Sequence, residues 1–399
     1  MTKTPSTRAL ATRAVRAGID CDPAFGAVAP PLVLSANFSF DGLAGKRRYD
    51  YTRSGNPTRD QLGDALASLE GGAGTVVTST GMAAVTLVLH ALLEPGDRLL
   101  VPHDCYGGSW RLFTALAAKG AFALESCDFT DPAALDAAIG RRPTLVWVET
   151  PSNPLLRITD IAAVSAAAHS VGAVVAVDNT FLSPALQRPI EQGAEIVVHS
   201  TTKYINGHSD VVGGAVVARE ASLADQLAWW ANALGITGSP FDSYLTLRGL
   251  RTLDARLRIQ QGNCAAIADL LARHSEVAAV HYPGLAYHPG HAIAVRQQDG
   301  FGAMLSFELS GGEQAVHAFV DGLDCLTLAE SLGGVETLIA HPASMSHAAM
   351  SEDARTRAGI GPGLLRLSVG IEALDDLVED LTTALGRAAA CRREVVDDQ

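Results

Sequence analysis

Short apolar runs alternate with longer stretches of helical hydrophobic spacing over the first half of the chain. Apolar runs of about four to eight residues with many β-branched side chains are typical of buried strands. We predict about seven such strands, at residues 74–79, 98–101, 122–125, 145–149, 173–180, 195–198 and 212–218. Helices are predicted between most of them, at residues 59–70, 82–93 and 160–171 and over a segment that ends near Gly120. This alternation favours an α/β fold with a mainly parallel seven-stranded sheet and helices on both faces.

The pattern changes after residue 235, where a loop precedes a long helix predicted to begin at residues 244–257. Beyond it the chain is typical of an α+β domain, with helices predicted at 260–273, 313–320 and 374–390 and strands at 303–309 and 364–369. The first 60 residues have turn signals but little regular pattern, which indicates a segment that wraps over its surroundings. We therefore predict three parts: an arm that contacts the neighbouring subunit (1–60), a large cofactor-binding domain (61–257) and a smaller C-terminal domain (258–399).

The composition is that of an ordinary globular protein of 399 residues, with 48% hydrophobic and 18% charged residues. A net charge of −13 argues against nucleic acid or an anionic membrane as the main partner. Six cysteines are scattered without a C-x-x-C spacing, which indicates a reducing compartment and argues against a disulfide framework or a zinc site. No apolar run reaches about 18 residues, the length that a transmembrane helix needs. We expect a cytoplasmic protein without a metal.

Lys203 lies in an unusual place, directly after the predicted buried strand of residues 195–198 and close to hydroxyl side chains. Desolvation at the end of a buried strand disfavours the ammonium form, and a neutral amine is the form that reacts with a carbonyl cofactor. Ser200 and Thr202 offer hydroxyl donors suited to a phosphate. Asp178 lies near the end of another predicted strand, where a carboxylate can hold a pyridinium nitrogen. We therefore predict pyridoxal 5'-phosphate as the cofactor and Lys203 as the lysine that binds it.

Each of these residues also has a simpler structural interpretation. A lysine after a strand is most often a solvated loop residue, and an aspartate there is often part of a turn. A dinucleotide-binding fold also alternates strands with helices, but no G-x-G-x-x-G follows any predicted strand. The combination of lysine, hydroxyls and carboxylate is what favours the cofactor site.

Further candidate residues follow other predicted strands, at the sheet edge where α/β proteins bind ligands. Gly81 and Met82 open a helix whose free N–H groups suit a phosphate, although any helix start needs a cap. Tyr106, before two glycines, can lie on a cofactor ring or be an ordinary turn residue. Asn153 can hydrogen-bond a ring hydroxyl or belong to a plain turn. Arg366 interrupts an apolar strand, which suits either a guanidinium that binds a carboxylate or one that points to water.

Several segments, taken together, resemble the Cys/Met-metabolism family of fold type I pyridoxal phosphate enzymes. They are residues 51–59 (YTRSGNPTR), 102–109 (PHDCYGGS), 178–181 (DNTF), 200–210 (STTKYINGHSD) and 328–334 (LAESLGG). The resemblance extends from about residue 12 to residue 388. It implies the fold type I architecture and a homotetramer built from two tight dimers, which would account for the long N-terminal arm.

The resemblance also implies a role for each candidate residue. Lys203 would carry the cofactor, Asp178 would pair with its pyridine nitrogen and Tyr106 would stack on its ring. The residues implied to bind the phosphate are Gly81, Met82, Ser200 and Thr202, together with Tyr51 and Arg53 from the adjacent subunit. The residues implied to hold the α-carboxylate of the substrate are Arg366, Asn153 and Ser331, and those that would face its side chain are Arg111 and Glu330.

Within the family, residues 104–106 and 228–232 resemble members that replace the γ-substituent of an amino acid. The implied reaction joins L-cysteine to an O-acyl-L-homoserine, with the succinyl ester expected, and gives L-cystathionine in the transsulfuration step of methionine biosynthesis. The freed, neutral Lys203 would remove the α-proton and then the β-proton of the substrate. The same residues also serve lyases that break cystathionine and sulfhydrylases that act on O-acylhomoserine. A cofactor-binding protein without catalytic activity is a remote alternative.

Overall fold

The structure is a computed structural model that describes residues 8–348, 352, 355 and 358–397, so residues 1–7 of the predicted arm lie outside the described residues. Its strands are β1 (Gly74–Thr78), β2 (Arg98–Pro102), β3 (Ala123–Cys127), β4 (Leu145–Glu149), β5 (Val174–Asp178), β6 (Ile196–His199), β7 (Gly214–Ala218), β8 (Val277–His281), β9 (Met304–Leu309), β10 (Thr327–Leu328), β11 (Leu338–Ala340) and β12 (Leu364–Ser368). Its helices are α1 (Leu10–Val15), α2 (Pro57–Glu70), α3 (Gly81–Leu92), α4 (Gly107–Ala118), α5 (Pro132–Ile139), α6 (Ile161–Ser170), α7 (Ser183–Leu186), α8 (Ala221–Leu234), α9 (Pro240–Leu250), α10 (Leu253–Leu271), α11 (His291–Gln297), α12 (Gly312–Val320) and α13 (Leu374–Asp397).

The first seven strands form one sheet in the order β1-β7-β6-β5-β4-β2-β3. Strands β3, β2, β4, β5 and β6 are parallel to one another, whereas β7 is antiparallel to both β6 and β1. The prediction of a mainly parallel seven-stranded sheet is confirmed. Since parallel strands end at the same edge, this order brings the carboxyl ends of β4, β5 and β6 next to one another.

The large sheet is buried on both faces, which is why its central strands are uniformly apolar. All five residues of β4 are buried. On one face, α3, α4 and α8 pack against the sheet, and the rings of Phe113 and Trp147 meet edge to face with centroids 5.6 Å apart. On the other face, α5 and α6 contribute Leu135 and Val164 to a second apolar cluster. Each fully buried side chain of this size stabilises the fold by about 1.5–3 kcal/mol.

A smaller sheet follows, with the strand order β10-β11-β12-β9-β8. Strand β12 lies in its interior and is antiparallel to both β11 and β9. One apolar cluster joins the two sheets, since it includes Val197 and Tyr204 from the region of β6 as well as Phe307 and Leu365 from the smaller sheet. The two sheets are therefore packed together through one apolar core.

The prediction that one long helix begins at residues 244–257 is wrong, because this region contains two helices. Helix α9 ends at Leu250 and α10 begins at Leu253, so the chain bends between them. The guanidinium of Arg256 stabilises the bend, because its Nη2 donates hydrogen bonds to the carbonyl oxygens of Gly249 (3.0 Å) and Tyr204 (2.8 Å). Helix α10 then continues and includes most of the helix predicted at 260–273. The limits predicted for the arm and the two domains stay predictions.

The sequence pattern did not predict α5, α8, α11, β8, β10 or β11. Strand β10 has two residues, both exposed, so it carries no hydrophobic pattern. The helix predicted at residues 59–70 begins two residues earlier, at Pro57, because its cap is Asn56, whose side chain accepts hydrogen bonds from the N–H groups of Thr58 and Arg59. No helix in the described part of the chain is both long and apolar enough to cross a bilayer.

Candidate active site

The carboxyl ends of the parallel strands, the loop after β10 and Arg366 of β12 enclose a cavity of about 430 Å³. This is the edge at which the sequence predicts a ligand site. Eleven of the predicted site residues line the cavity: Gly81, Met82, Tyr106, Asn153, Asp178, Ser200, Thr202, Lys203, Glu330, Ser331 and Arg366. They come from segments that are far apart in the sequence, so the fold itself assembles the site.

Lys203 follows β6 and places its side chain in the cavity wall, where Nζ donates a 2.7 Å hydrogen bond to Ser331 Oγ. Burial lowers the pKa of Lys203 to about 8, and the positive charge of Arg366 also lowers it, whereas Glu330 raises it. At this pKa about a tenth of the amine is neutral at pH 7, compared with well under a thousandth for an ordinary lysine. The amine is therefore suited to act as a nucleophile and as a base.

Two carboxyl groups lie side by side at the ends of adjacent strands. Glu149 ends β4 and Asp178 ends β5, and the two residues pair directly in the register of the sheet. Burial raises the pKa of Glu149 well above its ordinary value, and the charge of Asp178 raises it further. Burial also raises the pKa of Asp178, but hydrogen bonds from Thr180 oppose this. Two adjacent buried carboxyls do not readily both ionise, and the stronger rise at Glu149 together with the hydrogen bonds of Thr180 to Asp178 favours Glu149 as the protonated member of the pair.

Glu149 was not among the predicted site residues. The sequence did contain a sign of it, because it is the last residue of a predicted strand, as Asp178 nearly is of another. What the sequence does not show is that the two strands are neighbours.

Tyr106 directly precedes α4, and its side chain lines the cavity. Its backbone N–H donates a 2.7 Å hydrogen bond to Glu149 Oε2. Gly108 leaves room for the ring, because a Cβ at that position would lie 2.4 Å from Tyr106 Cε1. The tyrosine is 42% exposed, so part of its ring surface is available to a flat ligand.

A second part of the cavity suits an anion. Helix α3 begins at Gly81 and is capped by Thr80, whose Oγ1 accepts a hydrogen bond from Ala83 N. A Cβ at position 81 would lie 2.8 Å from Ser200 Cβ, so only glycine allows the helix to begin this close to that residue. The N-terminus of α3 and Ser200 therefore lie side by side in the cavity wall, an arrangement suited to a phosphate. Thr202 also lines the cavity, and its hydroxyl accepts a 2.9 Å hydrogen bond from Gly213 N.

Arg366 lies in the middle of β12 and is only 4% exposed, so the alternative of an arginine that points to water is wrong. Its Nη1 donates a 3.0 Å hydrogen bond to Asn153 Oδ1, and its Nη2 donates one of 2.8 Å to Ser331 O. Its Nε has no partner among the described residues. Burial lowers the pKa of Arg366 to about 10, so it is still a cation at pH 7. A buried cation in the cavity wall with an unpaired N–H suits a carboxylate.

Three predicted site residues do not line the cavity of their own chain. Tyr51 and Arg53 lie in the arm, around a separate depression, with the guanidinium carbon 5.7 Å from the centre of the tyrosine ring. Their predicted place is the site of an adjacent subunit, which a single chain does not test. Arg111 is exposed on α4. The roles of all three stay predictions.

The cavity fits pyridoxal phosphate along its whole length. The helix N-terminus with Ser200 suits the phosphate, and the buried carboxylate of Asp178 suits a protonated ring nitrogen. Tyr106 offers a ring surface, and the amine of Lys203 suits the carbonyl group. The buried Oγ of Ser109, which also lines the cavity, has no hydrogen-bond partner in the described part of the chain and so is free to bind a ligand.

Comparison with known proteins gives one family for nearly the whole chain. The family model described as "Cys/Met metabolism PLP-dependent enzyme" matches residues 11–386. Cystathionine gamma-synthase of Escherichia coli (strain K12) is 55% identical over 375 residues, which cover 94% of this chain and 97% of that protein. Cystathionine beta-lyase of Lactococcus lactis subsp. cremoris (strain MG1363) is 43% identical over 374 residues, 94% of this chain and 98% of that protein.

Solved structures are similar over the same extent. Cystathionine gamma synthase from Xanthomonas oryzae pv. oryzae is 69% identical, with a TM-score of 0.96, and the match covers 97% of this chain and 100% of that chain. That protein has been solved in complex with aminoacrylate and cysteine and in complex with cystathionine.

Proposed function

The chain belongs to the Cys/Met metabolism family of pyridoxal phosphate-dependent enzymes, and on that basis we propose that it forms L-cystathionine from an O-acyl-L-homoserine and L-cysteine. Its architecture is that of the fold type I members, as the sequence predicts. The observation that supports the proposal most directly is the amine of Lys203, which has a lowered pKa and shares one cavity with Asp178 and Arg366. The similarity to cystathionine gamma-synthases, at 55% and 69% identity, favours this reaction over others of the family.

Each part of the cavity would hold one part of the cofactor. The N-terminus of α3, with Ser200 and Thr202, would bind the phosphate, and Asp178 would keep the ring nitrogen protonated. Tyr106 would lie on the ring, and Asn153 would hydrogen-bond the ring hydroxyl. When bound, pyridoxal phosphate supplies an electron sink that stabilises negative charge on the substrate carbons near the amino group.

Arg366 would orient the amino acid by binding its α-carboxylate through the N–H groups that face the cavity. The hydrogen bonds to Asn153 Oδ1 and Ser331 O fix the plane of the guanidinium before the substrate arrives. This pre-organisation matters because a proton is transferred efficiently only when the C–H bond is correctly placed. Glu330 lines the same cavity and, with Arg111, would face the substrate side chain.

Lys203 Nζ would move the protons of the reaction. Once free, the neutral amine would accept the α-proton of the homoserine ester and pass it on to the conjugated system that the bound cofactor would supply. Neutral again, it would accept the β-proton, since both positions are within reach of one flexible side chain. The Cγ–O bond then breaks, and the acyl group leaves as a carboxylate. The cysteine sulfur forms a new bond to Cγ, and Lys203 returns the two protons to carbon. In the net reaction only the thiol proton of cysteine is released, together with the acid.

We propose a homotetramer in the cytoplasm as the working form. The arm carries exposed apolar side chains, among them Phe25 at 92% and Leu34 at 64% exposure, which a second subunit could cover. The six cysteines are all free thiols in the described chain, in keeping with a reducing compartment.

The proposed reaction is tested with the purified protein supplied with pyridoxal phosphate. It is incubated with O-succinyl-, O-acetyl- or O-phospho-L-homoserine, each with and without L-cysteine, and cystathionine is quantified by mass spectrometry. We expect cystathionine to form only when both substrates are present, fastest from the succinyl ester. A yellow protein that forms no cystathionine from any ester would contradict the proposal.

A lyase is the second candidate, because a cystathionine beta-lyase is 43% identical over nearly the whole chain. The same preparation is therefore incubated with L-cystathionine alone. Release of pyruvate with homocysteine would indicate cleavage at Cβ, and release of cysteine with 2-oxobutanoate would indicate cleavage at Cγ. If either reaction has a higher kcat/KM than synthesis, the lyase is the main activity.

A further inference from the structure

Two strand ends behind the cavity share one buried carboxylate. Successive side chains of an extended segment point to opposite sides. Asp178 and Thr180 line the cavity, as does Ser200 after the adjacent strand. The residues in the alternate positions, Asn179 and His199, therefore point away from the cavity, toward α2.

Glu70, the last residue of α2, meets both of these side chains. Its Oε1 accepts a 2.9 Å hydrogen bond from Asn179 Nδ2 and lies 2.7 Å from His199 Nε2. All three residues are completely buried. Gln187 extends the network, because its Nε2 donates a 3.1 Å hydrogen bond to Asn179 Oδ1. One carboxylate thus joins the segment after β5 to the end of β6.

The same two segments are also joined on the cavity side. Ser200 N donates a 2.9 Å hydrogen bond to Thr180 Oγ1, and Thr180 N donates one of 3.0 Å to Asp178 Oδ1. The position of Asp178 relative to Ser200 is therefore set by one chain of hydrogen bonds in the cavity wall and by a second behind it.

A fully buried pair of this kind is costly to build. Removal of a carboxylate and an imidazole from water costs several kcal/mol if both are charged, and apolar side chains of similar size often stabilise a core as well or better. Glu70 Oε2 and His199 Nδ1, moreover, have no hydrogen-bond partner among the described residues, which adds to the cost. Stability alone therefore does not account for the pair, whereas a requirement for fixed geometry at the strand ends does.

We propose that Glu70 is a positioning residue of the cofactor site, which fixes the separation between Asp178 and Ser200 through its contacts with Asn179 and His199. This role rests on the proposed function, because Asp178 and Ser200 would bind opposite ends of pyridoxal phosphate. If their separation is wrong, a rigid ligand that must contact both residues binds more weakly. A ligand that contacts only one of them binds with nearly unchanged affinity.

The test compares the whole cofactor with its two parts. Apoprotein is prepared from the wild type and from Glu70→Ala, which removes the acceptor of both contacts, and dissociation constants are measured by calorimetry for pyridoxal phosphate, pyridoxal and inorganic phosphate. For Glu70→Ala we expect the dissociation constant of pyridoxal phosphate to rise about 10- to 100-fold. The constants for pyridoxal and for inorganic phosphate should each rise by less than about threefold.

Leu66→Ala is the matched control, because Leu66 is completely buried in the same helix, belongs to the apolar cluster and has no part in the network. It should lower the thermal stability of the apoprotein without this selective loss of cofactor affinity. His199→Gln and His199→Ala give a second test that does not depend on folding of the Glu70 variant. Glutamine can place an N–H near the position of His199 Nε2, so it should keep near-normal affinity, whereas alanine should lose it as Glu70→Ala does.

The positioning role is refuted if Glu70→Ala raises the dissociation constant of pyridoxal or of inorganic phosphate as much as that of pyridoxal phosphate. It is also refuted if Leu66→Ala has the same selective effect at an equal loss of thermal stability, or if His199→Gln and His199→Ala behave alike. If the wild-type apoprotein itself binds no pyridoxal phosphate, the result contradicts the proposed function rather than the positioning role of Glu70.

Discussion

Lys203 Nζ donates a 2.7 Å hydrogen bond to Ser331 Oγ, which joins the chain after β6 to a loop of the smaller sheet. Ser331 has a φ of +88°, in the left-handed region that residues other than glycine rarely adopt. Such a backbone is retained only where surrounding contacts fix it, and here Ser331 O accepts a hydrogen bond from Arg366. One strained serine therefore contacts both the reactive amine and the guanidinium proposed to bind the substrate.

Replacement of Lys203 by alanine should abolish turnover, because among the described residues Lys203 is the lysine that lines the cavity and can bind the cofactor or move the substrate protons. It should also abolish the yellow absorbance band that borohydride removes from the wild type. Lys119→Ala is the control, since Lys119 is exposed at the end of α4 and its loss should change neither property. A Lys203→Ala protein that kept both the band and turnover would show that another group carries the cofactor.

The pKa of Lys203 also predicts how the stability of the apoprotein depends on pH. This pKa is about 8 in the folded chain and about 10.4 in the unfolded chain, so the unfolded chain binds more protons between these values. The contribution of Lys203 to stability therefore rises from about pH 8 to pH 10.4. Below pH 8 its full cost is present, about 3 kcal/mol at 1.36 kcal/mol per pKa unit. Lys203→Met should make the apoprotein more stable by this order at pH 7.

This gain should be mostly lost by about pH 10.5, where about half of the unfolded chains have lost the proton, and should vanish above about pH 11.5, where neither state of the wild type keeps it. Urea unfolding of the two apoproteins at several pH values measures the difference. Lys119→Met is the matched control and should show no such dependence, because Lys119 is exposed. A stability difference between Lys203→Met and the wild type that stays constant from pH 7 to pH 11 would mean that Lys203 is an ordinary solvated lysine.

The local part of the site could be predicted from the sequence. Lys203, Asp178 and Tyr106 each follow or end an apolar run, and parallel strands place such ends at one edge of the sheet. The hydroxyls near Lys203 were also visible, because they are its close neighbours in the sequence. These predictions depend only on short-range patterns, which is why they could be made without knowledge of the strand order.

Contacts between distant segments could not be predicted in this way. Arg366 and Asn153 are 213 residues apart, and Glu70 is 129 residues from His199, so no local pattern connects them. The bend before α10 is another case, because it depends on Arg256 binding the carbonyl of Tyr204, 52 residues earlier. A single sequence shows the polar side chains but not the partner that makes each one necessary.

Glu149→Gln should stabilise the apoprotein at neutral pH. Burial raises the pKa of Glu149, so the folded chain keeps a proton that the unfolded chain loses above about pH 4.3. Stability therefore falls as pH rises from that value toward the folded pKa, and glutamine removes this cost while its Oε1 can still accept the hydrogen bond from Tyr106 N. Urea unfolding between pH 4 and pH 8 should show a gain of about 1–3 kcal/mol that grows with pH.

Glu149→Ala is the comparison for that variant, because it removes the acceptor of the Tyr106 N–H and leaves a cavity. It should lower stability by about 1–3 kcal/mol relative to Glu149→Gln. If Glu149→Gln instead destabilises the protein increasingly as pH rises from 4 to 8, then Glu149 is ionised in the folded state and the assignment of the proton is wrong.

Arg366→Lys should impair substrate binding while it leaves the cofactor in place. An ammonium group cannot form the planar, forked contact to a carboxylate, nor can it keep the hydrogen bonds to both Asn153 and Ser331. We expect kcat/KM for O-succinyl-L-homoserine to fall about 100- to 1000-fold, which corresponds to about 3–4 kcal/mol. The dissociation constant of pyridoxal phosphate should change less than about threefold.

An amine that lacks the α-carboxylate separates this role from a general disturbance of the site. The wild type and Arg366→Lys should bind this amine with similar affinity, which is measured from the shift of the cofactor absorbance. Equal losses for the amino acid and for the amine would show that Arg366 supports the site as a whole rather than the substrate carboxylate.

If Tyr51 and Arg53 bind the phosphate in the adjacent subunit, each active site is built from two subunits. If Arg53 acts in the site of its neighbour, an Arg53→Ala subunit paired with a Lys203→Ala subunit has one site with both defects and one site with neither. Subunits mixed at random should therefore recover up to about a quarter of the wild-type activity, although each variant alone is nearly inactive. The mixture is made by joint unfolding and refolding, and activity is compared with that of each variant refolded alone.

Lys203→Ala mixed with Asp178→Asn is the control, because both residues line the same cavity of one chain. Its mixed dimers have one defect in each site, so its activity should stay at the level of the separate variants. If Arg53→Ala with Lys203→Ala also fails to recover activity, then Arg53 does not act across a subunit interface.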